Sequence, residues 1–282
     1  MSSMGYHALT VITGTTPNIG TSAAAFATAA QVARLSGQPV GLLCLNLKSA
    51  KLHRYLGVDR PAVTLDSLRP ELRSGTLTAD KLKRAAYTPP ACPGVSVLFG
   101  NLMRDQAEFF APEDIEHLLT VAREAYRLTL ADVSAYWDNA ATITAMRMAD
   151  SRLVATSSAL SSFQEDGQRW IGQVAPLFGI TAAGMEGIVI HPPWKNGGFP
   201  VKDIRKETGL NVVEEMKISE SLLSQLDSGR LDTWIASDQQ GKQTMRRTAE
   251  HLMAKHVIAG KSGMNGQPWY RKLMSHRNEV GS

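Results

Sequence analysis

The chain has 282 residues, of which 43% are hydrophobic and only 6% aromatic, and its formal net charge is +4. This length suits one large domain or two small ones, and the many alanines and leucines favour helices packed on a sheet over an all-β sandwich. Two distant cysteines, Cys44 and Cys92, provide neither a disulfide framework nor a zinc site. Residues 1–6 lack the features of a signal peptide, and no apolar run approaches the roughly 18 residues of a membrane span, so a cytoplasmic protein is expected.

The positive charge is concentrated near the end of the sequence. Residues 241–282 contain eight Lys or Arg and two Asp or Glu, which gives this segment +6 and leaves −2 for residues 1–240. We predict an α/β domain over 1–240 and a basic C-terminal helix and tail over 241–282. The stretch 269–274 mixes aromatic, apolar and basic residues, which suits an anionic membrane surface. A disordered or packed tail is the alternative.

The N-terminal part of the chain begins with a strand, a loop and a helix. The apolar run 7–13 is typical of a buried strand, and a turn-rich segment at 14–20, the first loop, follows it. Residues 22–35 are alanine-rich with apolar spacing near 3.6, which predicts a helix. A second apolar run at 40–47 completes a βαβ unit, so a parallel sheet with right-handed crossovers is expected.

The same alternation continues as far as residue 227. Helices are predicted at 63–82 (in two pieces around Gly75), 112–126, 139–148, 161–178, 201–208 and 220–227, and a last one in the tail at 243–258. Further strands are predicted at 95–100, 127–133, 152–156, 185–190 and 212–216. Six or seven strands alternating with helices predict a doubly wound, mostly parallel α/β sheet with helices on both faces.

The first loop is the leading candidate site, because ligands of open α/β sheets bind at the carboxyl ends of the strands. A phosphate-binding loop needs glycines that let backbone N–H groups approach phosphates, a lysine for their charge, and a Ser or Thr hydroxyl for Mg²⁺. This segment keeps Gly20 and Ser22, but Thr21 stands where such a loop places its lysine. Taken alone, a Gly/Pro/Asn turn before a helix is more often a plain connection than a phosphate-binding loop.

The order and spacing of segments over residues 7–235 resemble the MinD/ParA family of P-loop ATPases and its TadZ/CpaE pilus-associated branch. The family's loop, SGKGGVGKTT, falls on residues 14–23. Its signature lysine, which reaches across a dimer, falls on Thr16, and its second lysine falls on Thr21. Two of its glycines fall on Pro17 and Asn18. The resemblance therefore includes a degenerate Walker A motif.

Later segments extend the resemblance. Cys44 and Asn46 occupy the two acidic positions of the family's D-x-D after the second strand. Asp132 lies on the strand that resembles the Walker B strand "IIVDT", and residues 149–156 resemble "AADEVLVVT". His191 stands where "GVVLNR" has an asparagine that contacts adenine, although a plain loop histidine is the alternative.

The resemblance implies an ATP/Mg²⁺ site with rewritten positions, and it assigns no catalytic residue. The alternative is that ATP and Mg²⁺ are absent from this site. Ser22 and Asp132 are the implied Mg²⁺ partners, while a capping role for Asp132 stays open. Lys48 and Lys51 either supply positive charge from a new direction or face solvent. The implied nucleotide-binding residues are Gly14, Thr15, Thr16, Asn18, Gly20, Thr21, Ser22 and Asp132.

Loss of several phosphate contacts weakens catalysis strongly, since one transition-state contact is typically worth about 2.7–4 kcal/mol. We therefore expect a pseudo-ATPase with little or no ATP hydrolysis. The resemblance implies a localisation or assembly scaffold for a secretion, pilus or conjugation machine, with protein partners there, a homodimer, and peripheral attachment at the inner face of the membrane. The alternative hypothesis is an active, nucleotide-switched ATPase with an altered P-loop, used in positioning or partitioning, that binds membrane or DNA through its basic tail.

Overall fold

The computed structural model describes residues 7–193 and 198–261, in which seven strands form one sheet. The strands are β1 Ala8–Gly14, β2 Val40–Leu45, β3 Val95–Leu98, β4 Leu128–Val133, β5 Ser151–Ser157, β6 Glu186–His191 and β7 Asn211–Lys217. The α-helices are α1 Thr21–Ser36, α2 Leu52–Tyr55, α3 Arg69–Arg73, α4 Ala79–Ala85, α5 Pro112–Ala125, α6 Ala140–Met148, α7 Val201–Thr208, α8 Glu220–Asp227, α9 Leu231–Ser237 and α10 Arg246–Lys255.

All neighbouring strands of the sheet are parallel, in the order β3-β2-β4-β1-β5-β6-β7. The chain starts at the centre with β1, fills one side with β2, β3 and β4, and then fills the other side from β5 onward. The strand order therefore reverses beside β1, and in open α/β sheets such a point marks the ligand crevice. Asp132 of β4 pairs in register with Ile12 of β1 and with Cys44 of β2.

The sheet is covered by helices on both faces, and each face has its own apolar core. Ile12 belongs to a cluster with residues of α1, α8, α9 and α10, whereas its neighbour Val11 belongs to a cluster with residues of α3, α4, α5 and α6. This change of face between consecutive residues is the period of two of a β-strand. Small side chains of α1, from Ala23 to Ala33, are buried and let this helix pack closely on the sheet.

The described part of the C-terminal segment packs on the same core. Thr248, Ala249 and Leu252 of α10 are buried, and Leu252 lies in the cluster that contains α1. The Thr248 N–H donates to Oε2 of the buried Glu214, at 3.1 Å. The predicted domain boundary at 240/241 stays a prediction, and the stretch 269–274 lies outside the described residues. Among those that are described, no helix is long and apolar enough to span a bilayer.

The seven-stranded parallel sheet with helices around it confirms the predicted fold class. Helices α7 and α8 match their predicted bounds, and α10 is shorter than the predicted 243–258. Helices α2 and α9 were not predicted, because four and seven residues are too few to establish a helical period. The predicted helix at 161–178 is present, but it is built from π-helical turns and a final 3₁₀ turn.

Gly41 lies close to the ring of Tyr126, and this contact leads to a prediction about the free energy of unfolding. A methyl group at Gly41 would lie 2.4 Å from Cδ2 of the buried Tyr126 ring. Gly41→Ala is therefore expected to lower the free energy of unfolding by about 1–3 kcal/mol. Gly172→Ala is the control, because its added methyl meets no atom within 4 Å. Gly172 lies in a helix, so this change is expected to leave stability unchanged or to raise it by up to about 1 kcal/mol. Urea unfolding compares the variants, and equal stability of the two would contradict the packing described.

Candidate functional site

A cavity of about 500 Å³ opens where the carboxyl ends of β1, β2 and β4 meet, and we call it the strand-end cavity. Its walls come from residues within 14–23, 46–55 and 133–136, which directly follow those three strands. Arg104 and an apolar wall from the β7–α8 region complete it. The apolar wall consists of Ile218, Leu223 and Leu226.

The first loop leaves β1 and is anchored to β5. The Thr15 N–H donates to the Ala155 carbonyl at 2.8 Å, and the Thr15 hydroxyl donates to the Thr156 hydroxyl at 3.1 Å. Asn18 and Gly20 adopt left-handed backbone angles, with φ of 62° and 103°. Both residue types tolerate this conformation, so the loop can turn sharply into α1.

Helix α1 begins at the cavity without a side-chain cap. The first helical hydrogen bond runs from the Ala24 N–H to the Gly20 carbonyl, at 3.0 Å. The preceding N–H groups of Thr21, Ser22 and Ala23 have no partner within the helix, and all three residues line the cavity. A helix N-terminus of this kind favours an anion, because free N–H groups and the helix dipole both carry positive potential.

Asp132 is fully buried directly behind this helix start. Neither of its carboxylate oxygens makes a hydrogen bond of normal geometry within the described residues. Burial raises the pKa of Asp132 to about 7, and the nearby Ser22 hydroxyl offsets part of that rise. A buried carboxylate without partners is costly. Its oxygens and the Ser22 hydroxyl are the ligand type that Mg²⁺ prefers.

No group of three or more His, Cys, Asp or Glu that could hold a metal ion occurs among residues 7–193 and 198–261. A divalent cation at Ser22 and Asp132 would therefore need further oxygen ligands from a phosphate or from water. That division of ligands is the usual one for Mg²⁺ at nucleotide sites. The residues present thus fit a Mg²⁺–phosphate ligand better than a free metal ion.

The described residues that line the cavity include three cations and no Asp, Glu or His. Lys48 is neutralised by Asp138 at 2.7 Å and Glu108 at 3.1 Å, and hydrogen bonds to these carboxylates raise its pKa. Lys51 instead donates to the neutral amide oxygen of Asn18, at 2.9 Å. The third cation is Arg104. The cavity therefore combines positive charge with an absence of the usual general-base side chains.

Short hydroxyl side chains stand where the resemblance places two lysines. The Thr16 hydroxyl contacts Oγ of Ser162 at 2.5 Å and donates to Oδ2 of Asp166 at 2.8 Å. The Thr21 hydroxyl packs over Gly14, where an added methyl group would meet it at 2.7 Å. Both threonine hydroxyls thus contact other groups of the same chain. Residues 14–22 contain no lysine.

Other residues singled out in the sequence lie apart from the cavity lining. His191 ends β6, and its Nε2 lies 3.0 Å from Oε2 of Glu215, so it contacts a neighbouring strand. Burial raises the pKa of Cys44 to about 12, which keeps its thiol protonated. Sequence reasoning missed Arg104, although its position shortly after the end of β3 is a signal that the strand-end rule uses. It also missed Asp166, which carries no recognisable motif.

No protein-family model matches the chain, and no curated protein sequence matches it either. Solved structures do match this chain. A ParA family ATPase from Chlorobium tepidum has a TM-score of 0.74 and 17% identity, with 86% of this chain and 99% of that one covered. The septum site-determining protein MinD from Pyrococcus horikoshii, complexed with Mg-ADP, has a TM-score of 0.71 and 17% identity, with 90% and 99% covered. A putative plasmid partition protein from Borrelia burgdorferi, bound to AMPPNP, has a TM-score of 0.67 and 10% identity, with 88% and 99% covered.

These similarities define the class of fold. The chain has the fold of the MinD/ParA P-loop ATPases, and it covers nearly the whole length of the three compared proteins. Two of those structures carry a nucleotide, Mg-ADP or AMPPNP. At identities of 10–17% the similarity establishes the architecture. The pilus-associated branch stays a prediction.

Replacement of Asp132 by Asn is expected to stabilise the ligand-free protein, and more so as pH rises. Burial raises the pKa of this carboxyl from 3.8 to about 7, so the folded chain holds its proton more tightly than the unfolded chain. Wild-type stability therefore falls between about pH 4 and pH 7 relative to the variant, and the difference levels off above pH 7 at no more than about 4 kcal/mol. Urea unfolding of both proteins at several pH values between 5 and 8.5 measures the difference in their free energies of unfolding. A stability difference that stays constant over this range would contradict the assignment.

Proposed function

We propose that this protein binds a nucleoside phosphate with Mg²⁺ in the strand-end cavity, hydrolyses it little or not at all, and acts as a localisation or assembly scaffold. The observation that carries the proposal is the composition of the cavity. Its described lining has three cations and no acid or histidine, and the unpaired carboxylate of Asp132 lies behind Ser22. Such a site attracts a polyanion and can share a divalent cation with it.

Each part of a nucleotide finds a suitable surface in the cavity. The free N–H groups at the start of α1 suit the phosphates, and Ser22 with Asp132 would hold Mg²⁺, which neutralises phosphate charge when bound. Ile218, Leu223 and Leu226 form an apolar wall suited to the base or sugar. A volume of about 500 Å³ is within the usual range of small-molecule sites, about 300–1,000 Å³.

Hydrolysis would need more than the cavity supplies. Catalysed phosphoryl transfer requires charge stabilisation of the transferring group and a side chain that orients the attacking water. Residues 14–22 contain no lysine. Asn46, which lines the cavity after β2, has a neutral amide in place of a carboxylate. These absences favour stable binding of the nucleotide over turnover.

The proposed scaffold role needs a surface for partners. Leu102 and Met103, directly before Arg104, are 53% and 56% exposed, and Phe109 in the same segment is 52% exposed. Large apolar side chains left exposed within one short segment are typical of protein contacts. A MinD protein from Aquifex aeolicus of the same fold has been solved in complex with MinC. We propose that Leu102, Met103 and Phe109, here called the apolar segment, contact a second copy of this chain, because the adjacent Arg104 lines the cavity that the nucleotide would occupy.

The proposal includes the kind of machine that this scaffold would serve. Its support is the resemblance of the sequence to the TadZ/CpaE branch, which favours a secretion, pilus or conjugation apparatus. Attachment to an anionic membrane or to DNA through residues 241–282 is less well supported than the scaffold role, because some of the basic side chains already have acidic partners. In the described part of that segment, Arg246 pairs with Glu250 at 2.9 Å and Lys255 pairs with Glu186 at 3.0 Å.

Calorimetry with ATP and ADP, with and without Mg²⁺, tests nucleotide binding. Micromolar, Mg²⁺-dependent binding is expected for the wild type, together with ATP turnover no faster than about 10⁻³ s⁻¹. Asp132→Ala is expected to weaken binding at least about tenfold in Mg²⁺, because it removes a cation partner. Asp232→Asn alters another buried carboxyl, one that accepts a hydrogen bond from the Ala91 N–H, and is the control for indirect effects of folding. Fast turnover that depends on Asp132 would contradict the scaffold role and favour the switched ATPase.

Self-association provides a separate test of the partner surface. If a second copy docks on the apolar segment, Leu102→Glu is expected to weaken nucleotide-dependent dimerisation about tenfold or more, because it places a charge in a desolvated contact. Leu177→Glu introduces the same change at another exposed leucine, which is 78% exposed and outside the segment. Sedimentation equilibrium with Mg-ATP compares them. Equal effects of the two substitutions would argue against this surface.

A further inference from the structure

We infer that Lys51 takes over the phosphate-binding role of the lysine that the first loop lacks. The inference rests on the proposed function, because it concerns how the same cavity holds the phosphate group. It assigns to a lysine from the segment after β2 the contact that a phosphate-binding loop normally makes with a lysine of its own.

The backbone at Lys51 is fixed by the start of α2. Its carbonyl accepts hydrogen bonds from the N–H groups of Arg54, at 2.9 Å, and Tyr55, at 3.1 Å. The adjacent Leu52 is fully buried in the core. The Lys51 backbone is therefore held in place, and its side chain reaches the first loop. Its Nζ lies 2.9 Å from Oδ1 of Asn18.

The charge of Lys51 is available to a ligand, in contrast to that of Lys48. Both lysines line the cavity, but Lys48 is held by two carboxylates, Asp138 and Glu108. Lys51 forms no ion pair within the described residues, and the partner of its Nζ is a neutral amide oxygen. The Lys51–Asn18 bond joins a cation to a neutral acceptor, whereas a phosphate oxygen is negatively charged and adds Coulomb attraction, so it can displace the amide.

The position of Asn18 supports this exchange. Asn18 belongs to the loop that leads into the free N–H groups of α1, and it lines the cavity together with Lys51. A phosphate bound at those N–H groups would therefore occupy the same cavity as the Lys51–Asn18 contact. The competing explanation is purely structural: Lys51 would hold Asn18 and so shape the loop, without touching the ligand.

Variants of Lys51 and Asn18 separate the two explanations. Lys51→Met is expected to weaken the binding of ATP and of inorganic pyrophosphate about tenfold, and Lys51→Arg is expected to restore most of it. Asn18→Gly removes the amide acceptor while it keeps the left-handed backbone. It is expected to weaken binding much less than Lys51→Met does. Lys83→Met, on α4 and away from the cavity, matches the change in net charge.

Calorimetry of pyrophosphate and ATP binding is the readout, with thermal unfolding to verify that each variant folds. If Asn18→Gly weakens binding as much as Lys51→Met does, Lys51 acts only on the loop and the inference is overturned. If the wild type binds Mg-ATP in an Asp132-dependent manner but Lys51→Met binds equally well, the inference fails while the proposed function stands. If the wild type binds neither ligand, both fail.

Discussion

Strands β1 and β4 lie at the centre of the sheet with every residue buried, and this burial on both faces constrains the rest of the structure. It requires apolar or small side chains along both strands and covering helices on either side. Asp132 is the one ionisable residue of the two strands. A carboxylate in such a place is destabilising unless a cation or a proton compensates it. Its place beside Ser22, at the carboxyl end of β4, is where the proposed Mg²⁺–phosphate ligand would compensate its charge.

The loop beside this carboxylate has backbone features that suit a phosphate, although it contains no lysine. Asn18 and Gly20 supply the left-handed turns, and the start of α1 supplies free N–H groups. Positive charge comes from Lys51 and Arg104, outside the loop. The described lining offers no acid or histidine, and the proposal of binding with little hydrolysis rests on this composition.

The sequence was sufficient for the fold class and for the choice of the first loop, which lines the strand-end cavity, because both depend on local patterns. The run before Gly14, the alanine-rich helix after it, and the alternation that follows predict a parallel sheet and place the first loop at its carboxyl end. Long-range contacts were beyond the sequence. Lys48 and Lys51 look alike in the chain, and only the fold brings Asp138 to one and Asn18 to the other. The hydrogen bond between Thr16 and Asp166 joins residues 150 positions apart.

Hydrogen–deuterium exchange with and without Mg-ATP tests the central claim most directly, because it locates a ligand without relying on turnover. The account predicts slower exchange in residues 14–23 and 46–55, which line the strand-end cavity. Exchange in α5, which does not line it, is expected to stay unchanged. Unchanged exchange in both cavity segments at saturating nucleotide, or protection confined to other parts of the chain, would contradict the claim that this cavity holds a nucleoside phosphate.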